Sequence, residues 1–124
     1  MSSGISVMRL GEVLMVTVPA DPDDDTVGDL QVQVLGAMER TSAQGLILDI
    51  STVETVDSFF ARTITETVQM VALMGGVSVL SGMRASVAVT ATQLGLQMGN
   101  IPTALDVDRA MAKLQAILEQ RRHA

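Results

Sequence analysis

The stretch Leu46-Ile47-Leu48-Asp49-Ile50-Ser51-Thr52-Val53-Glu54-Thr55-Val56-Asp57-Ser58-Phe59-Phe60 decides how the rest of the chain is read. Residues 46–50, behind Gly45, are apolar except for Asp49. A run without alternation suits a strand covered on both faces. The polar residues after it make a short loop. Asp57 stands where a carboxylate caps a helix by accepting from a first-turn amide. Ser58 then falls in the first turn, its hydroxyl exposed at the positive end of the helix dipole, where a phosphate could be accommodated. The stretch predicts strand, loop and helix start, and the remaining sequence reads as a scaffold presenting that corner.

Upstream, residues 5–10 and 13–18 are strand candidates on either side of Gly11-Glu12, a hairpin turn with Gly at the tight position. The second is apolar through most of its length and reads as interior. Pro19-Ala20-Asp21-Pro22 ends it, since Pro cannot continue a central ladder. Asp23-Asp24-Asp25 reads as an acidic first turn complementing a helix dipole. A divalent-cation site is the competing reading, but no Gly-containing calcium loop surrounds it. The helix predicted over 24–41 puts Val27, Leu30, Val34, Leu35 and Met38 on one apolar stripe and turns Gln31 and Gln33 away.

Downstream, a helix over 58–74 sets Phe60, Ile64, Val68, Val71 and Ala72 inward and Arg62, Thr63, Glu66 and Thr67 largely outward. Gly75-Gly76 closes it. Residues 77–80 make a fourth strand, and Ser81-Gly82-Met83-Arg84 the next loop. A helix over 84–94 carries Val87, Ala91 and Leu94 on one side, with Gly95 as its stop or 96–98 adding a turn. Residues 103–105 form a minimal last strand. Asp106 or Asp108 caps a final helix whose core face is Val107, Ala110, Leu114, Ile117 and Leu118, with Arg121, Arg122 and His123 complementing its C-terminus. The order is ββαβαβαβα. Short links imply right-handed crossovers, and the opening hairpin makes the sheet mixed though mostly parallel. The expected class is α/β, with about five strands and four helices.

At 124 residues the chain is expected to form one domain, 1–124, with one core. It has no Trp or Tyr, and its two Phe are adjacent, so aliphatic residues and nine Met must fill that core. Met70, Met74 and Met111 read as core, Met83 and Met98 as exposed. A net charge of −6 argues against nucleic-acid binding, which needs cations to neutralise phosphates, and disfavours an anionic membrane surface. The absence of Cys excludes a disulfide framework or thiolate metal site and fits a reducing cytoplasm. No signal peptide is read at the N-terminus, and no apolar run is long enough to span a membrane.

Catalytic chemistry is hard to assemble from these residues. Neither GxGxxG nor GxxxxGK[ST] occurs. A serine nucleophile at position 58 would need a base, and the one histidine, His123, stands at the far end. Asp49, Glu54 and Asp57 are a sparse set of metal ligands and read more readily as caps and loop acceptors. No cofactor is expected, and the chain reads as a non-enzyme. Ser58 is either an ordinary helix-start serine or a phosphorylation site. Phosphorylation would add roughly −1.5 to −2 charges. The helix dipole would favour that charge, Asp57 and Glu54 would oppose it, and the larger effect would fall on a partner surface beside Phe59.

The segment 48–59, an Asp-Ile-Ser-x-Val-x-x-Val-Asp-Ser-Phe pattern, resembles the STAS domain of anti-sigma-factor antagonists, and in particular the single-domain RsbS type of the stressosome group. The resemblance covers essentially the whole chain, and Ser81-Gly82-Met83-Arg84 with Ala88 and Thr90 shares it. It implies a regulatory and scaffold protein of a large cytoplasmic shell. Ser58 matches the serine phosphorylated by an RsbT-type switch kinase, with Asp49, Asp57 and Phe59 around it. The unmodified protein, assembled with RsbR-type paralogues, would hold that kinase. Phosphorylation would release it, and an RsbX-type phosphatase would reset the site. Thr90 falls where the paralogues carry a second phosphorylatable residue and is expected to be mainly structural here. The chain is expected to lack the paralogues' additional N-terminal sensor domain. A simple anti-sigma-factor antagonist working outside a stressosome, and a nucleotide-binding STAS module, remain as alternatives.

Overall fold

The computed structural model describes residues 4–94 and 101–123. Among these residues the elements follow in the expected order: β1 (Ser6–Leu10), β2 (Val13–Thr17), α1 (Asp24–Thr41), β3 (Gly45–Asp49), α2 (Ser58–Leu73), β4 (Val77–Ser81), α3 (Ala85–Gln93), β5 (Thr103–Ala104) and α4 (Val107–Arg122). Gly11 turns the first hairpin at φ +63°, a left-handed conformation that costs a residue without Cβ little. The strands lie in chain order across one sheet. β1 pairs antiparallel with β2, and every later pair is parallel.

The unalternating run of β3 follows from its central place. Leu46 and Leu48 face a large core shared with α1, α2 and α3, whereas Ile47 faces a smaller one shared with Val13, Val79 and α4 residues Ala110, Leu114 and Leu118. Three helices thus cover one face of the sheet and α4 covers the other. Leu46, Ile47 and Leu48 are completely buried. Each such side chain contributes roughly 1.5–3 kcal/mol relative to exposure.

α1, α2 and α4 start where an aspartate accepts from a free first-turn amide, whereas α3 has no side-chain cap. Asp23 accepts from the Thr26 amide at 2.8 Å, Asp57 from Phe60 at 2.8 Å and Asp106 from Arg109 at 2.8 Å. Asp106, rather than Asp108, is therefore the last cap. α1 buries Val27, Leu30, Val34 and Met38 as its periodicity requires, and Ala37 with them.

Several facing assignments are corrected. Thr63 and Thr67 are buried on α2, and Ala72 is exposed. The Thr67 hydroxyl donates to the Thr63 carbonyl at 2.7 Å and accepts from Gln31 Nε2 at 3.1 Å, so Gln31 faces α2 rather than solvent. A threonine whose hydroxyl finds the carbonyl one turn back enters a helix interface without an unpaired polar group. Met74 is 45% exposed because it caps α2 beyond the core, and Leu94 is exposed after the end of α3. Met83, expected on the surface, is half-buried against the larger core. Met98 and Gly95 lie outside the described residues.

Candidate functional site: a serine at the start of α2

The corner read from sequence is built by two loops at the carboxyl ends of neighbouring parallel strands. One runs from β3 to α2, the other from β4 to α3. The Asp49 carboxylate folds back over the first loop and accepts from the Ser51 amide at 3.1 Å. Val53 is fully buried and its amide donates to the Ile50 carbonyl at 3.0 Å, so the loop has an apolar anchor midway. Thr52 Oγ1 donates to the Val18 carbonyl at 3.1 Å and ties the loop to the end of β2.

The second loop is fastened to the first at several points. The Ile50 amide donates to the Ser81 carbonyl at 2.9 Å, and Arg84 Nε donates to the Ser51 carbonyl at 2.9 Å. Gly82 takes φ +80° and donates its amide to the Ala104 carbonyl at 3.0 Å. The sequence places Gly82 in a loop and Arg84 where that loop meets the next helix, and the family resemblance includes both. The Gly after a strand-ending serine was a turn signal, but nothing local announced that Arg84 reaches back to Ser51.

Asp57, with extended backbone, places its carboxylate on the Phe60 amide and so fixes the first turn of α2. Ser58 is the first helical residue and is exposed. Among the described residues its hydroxyl has no hydrogen-bond partner. Phe59 beside it is 36% exposed, whereas Phe60 points inward onto the core. An unengaged hydroxyl on a hydrogen-bonded corner, next to a partly exposed aromatic ring, is open to solvent and holds no contact of the fold in place.

The carboxylates of Asp49 and Asp57, near the corner, already serve the backbone. Asp57 and Phe59 flank Ser58, while Asp49 is engaged with its own loop at Ser51. Among the described residues no group of three or more carboxylates or imidazoles comes together to hold a metal ion, and Asp23, Asp24 and Asp25 serve the start of α1. The Asp23 carboxyl is held below its ordinary value by the Thr26 backbone amide and then by the Thr26 side chain. Thr90 is half-buried on α3, its hydroxyl donating to the Ser86 carbonyl of its own helix at 3.0 Å. His123 sits beside Glu119, 2.9 Å from Oε1, far along the chain from the corner.

The hollow beside Ser58 is about 170 Å³ and is lined by Asp21, Pro22, Thr55, Val56, Asp57 and Phe60. Its two carboxylates oppose an anion. Beneath the corner, between Ile50, Phe60, Met83 and Val87, the free space is about 10 Å³, too small for any ligand.

The model of the STAS domain matches residues 5–110. The chain belongs to the STAS domain family. Over 111 residues, 90% of its length, this STAS chain is 29% identical to the RsbT co-antagonist protein RsbRB of Bacillus subtilis (strain 168). It spans 40% of the length of that relative. The S58E variant of Moorella thermoacetica RsbS superposes with a TM-score of 0.84 at 27% identity, over 94% of this chain and 99% of that one. A chain of the stressosome, described as a signal integration and transduction hub, superposes at 0.77 with 27% identity, over 91% and 98%. The STAS assignment accounts for the mixed sheet with helices on both faces. Among the described residues no helix is long and apolar enough to cross a membrane.

Proposed function

We propose that the 124 residues act as a single STAS domain and as a non-catalytic regulatory and scaffold component of a cytoplasmic stressosome. The observation that carries the reading is Ser58, exposed and unengaged at the first turn of α2 on a corner braced by two loops. The unmodified chain, assembled with RsbR-type paralogues, holds an RsbT-type switch kinase against this corner. Phosphorylation of Ser58 puts a dianion beside Phe59, and an apolar or acidic neighbour is repelled. The kinase leaves, and an RsbX-type phosphatase resets the site. Support comes from the Moorella variant, in which glutamate replaces a serine of the same number, and from the co-antagonist relative. Thr90, whose hydroxyl is already turned into its own helix, plays a structural part.

Intact mass after incubation with ATP and the switch kinase from the same genome tests this. Wild type gains one phosphate and Ser58→Ala gains none. No gain on wild type, with a kinase active on another substrate, would leave a binding or scaffold STAS domain. Light scattering with the paralogue separates a megadalton shell from a simple antagonist acting as monomer or dimer. A nucleotide-binding role is disfavoured by the carboxylates Asp21 and Asp57, which line the hollow at the corner.

A further inference from the structure

We infer that Arg62 is the built-in counter-charge for a phosphoryl group on Ser58, an inference that rests on Ser58 being the modified residue. The two are four residues apart on α2, and both are exposed. Side chains at this spacing lie one above the other on a helix face, with Cβ atoms about 5–6 Å apart. An anion four residues before a cation is the favourable orientation of such a pair. A guanidinium also offers a planar fork that fits phosphate oxygens two at a time.

Most of the other cations are already engaged. Arg9, Arg84, Lys113 and Arg121 each donate to a backbone carbonyl, and Arg109 and Arg122 to carboxylates. Arg40, like Arg62, has no hydrogen-bond or ion-pair partner among the described residues, but it stands in the last turn of α1 and not on α2, and there it complements the dipole. Arg62 has no partner among the described residues. Glu66, a further four residues on and also exposed, does not close an ion pair with it. The guanidinium is therefore free to receive a group on Ser58 without giving up a contact.

The carboxylates nearest in sequence are Asp57 and Glu54, and Asp21 lines the hollow next to Asp57; Asp57 already spends its carboxylate on the Phe60 amide. They oppose a phosphate equally whether or not residue 62 is charged. Arg62 draws the added charge along the exposed face of α2 toward the second turn and holds the first turn closed. It is a positioning residue: it decides where on the surface the dianion is presented to a partner.

The test needs no kinase. Phosphoserine is inserted at position 58 during translation, and the second phosphate ionisation is followed by phosphorus NMR in wild type, Arg62→Gln and Arg62→Lys. Wild type should titrate about 0.3 pH unit below Arg62→Gln, as expected for one favourable helical charge pair. Arg62→Lys should recover much of the difference, and urea sufficient to unfold the chain should remove it. Coincident native titration curves for wild type and Arg62→Gln would overturn the inference. A switch kinase that leaves Ser58 unmodified would overturn the reading beneath it, and the titration would still decide whether the pair forms.

Discussion

Gly82 stands directly against Ser51: a Cβ at position 82 would lie 2.7 Å from Ser51 Cβ and 3.0 Å from Ser51 Cα. The second of these is backbone and cannot swing aside. Gly82 also holds φ +80°, which an L side chain adopts only with strain. Together these make Gly82 the point where the two loops of the corner lock. Gly82→Ala is expected to cost roughly 2–4 kcal/mol, the left-handed penalty plus overpacking. Urea denaturation measures it, and a midpoint equal to wild type would mean that the loops are free to part.

The cap on α2 gives a second, smaller effect. Asp57→Ala removes the acceptor for the Phe60 amide at 2.8 Å and should cost about 1 kcal/mol, with Asp57→Asn recovering most of it. The loss should appear in thermal melts and as faster amide hydrogen exchange in the first turn. Exchange unchanged at Phe60 would show that the carboxylate is dispensable there.

The elements were legible because their signals are local. β3 announced itself by an apolar run bounded by Gly45, β1 and β2 by the turn at Gly11, and α2 by Asp57 ahead of a periodic segment. The place of Ser58 at the first turn of α2 follows from the same signals. What stayed hidden was long-range. No local pattern says that Gly82 meets Ser51, or that Arg84 crosses to the Ser51 carbonyl. The inner face of α2 was misread for a different reason. Thr63 and Thr67 count as polar in a periodicity argument, yet the Thr67 hydroxyl is satisfied within its own helix and can be buried. Ala72, small and neutral, carries no such signal in either direction.

That misreading yields a prediction of its own. Thr67→Val keeps the shape of a fully buried side chain but removes the acceptor for Gln31 Nε2 across the contact between α1 and α2. The part-buried amide is left unpaired, at a cost of about 1 kcal/mol. Gln31→Leu in the same background should return some of that stability. A double-mutant cycle by urea denaturation reads the coupling, and strict additivity of the two changes would show that the hydrogen bond contributes nothing.

Acid should weaken the start of α1. The folded state holds the Asp23 carboxyl below the ordinary value of 3.8, chiefly through the Thr26 amide. A group depressed in the folded state contributes its stability fully above its unfolded value and loses it as pH falls through the folded one. Asp23→Ala should therefore melt below wild type at neutral pH, with the gap closing once pH drops under about 3.8 and below. A gap that persists unchanged in strong acid would assign the effect to helix propensity rather than to the ionised cap.

A carboxylate at position 58 tests whether the modification acts on the surface or on the fold. In Ser58→Glu the new charge sits in the first turn of α2, where the dipole favours it by roughly 0.3–1 kcal/mol. Asp57 and Glu54 oppose it by a comparable amount. Ser58 is exposed and its hydroxyl holds nothing in place among the described residues, so its removal breaks no bond. The net change in stability should stay within about ±0.5 kcal/mol, as for an ordinary surface substitution. Backbone amide NMR shifts should move only at the start of α2 and in the Ser81–Arg84 loop. Loss of helical shifts through the first turn would show that added charge unwinds the corner, and the release of a partner would then be a change of fold and not of surface.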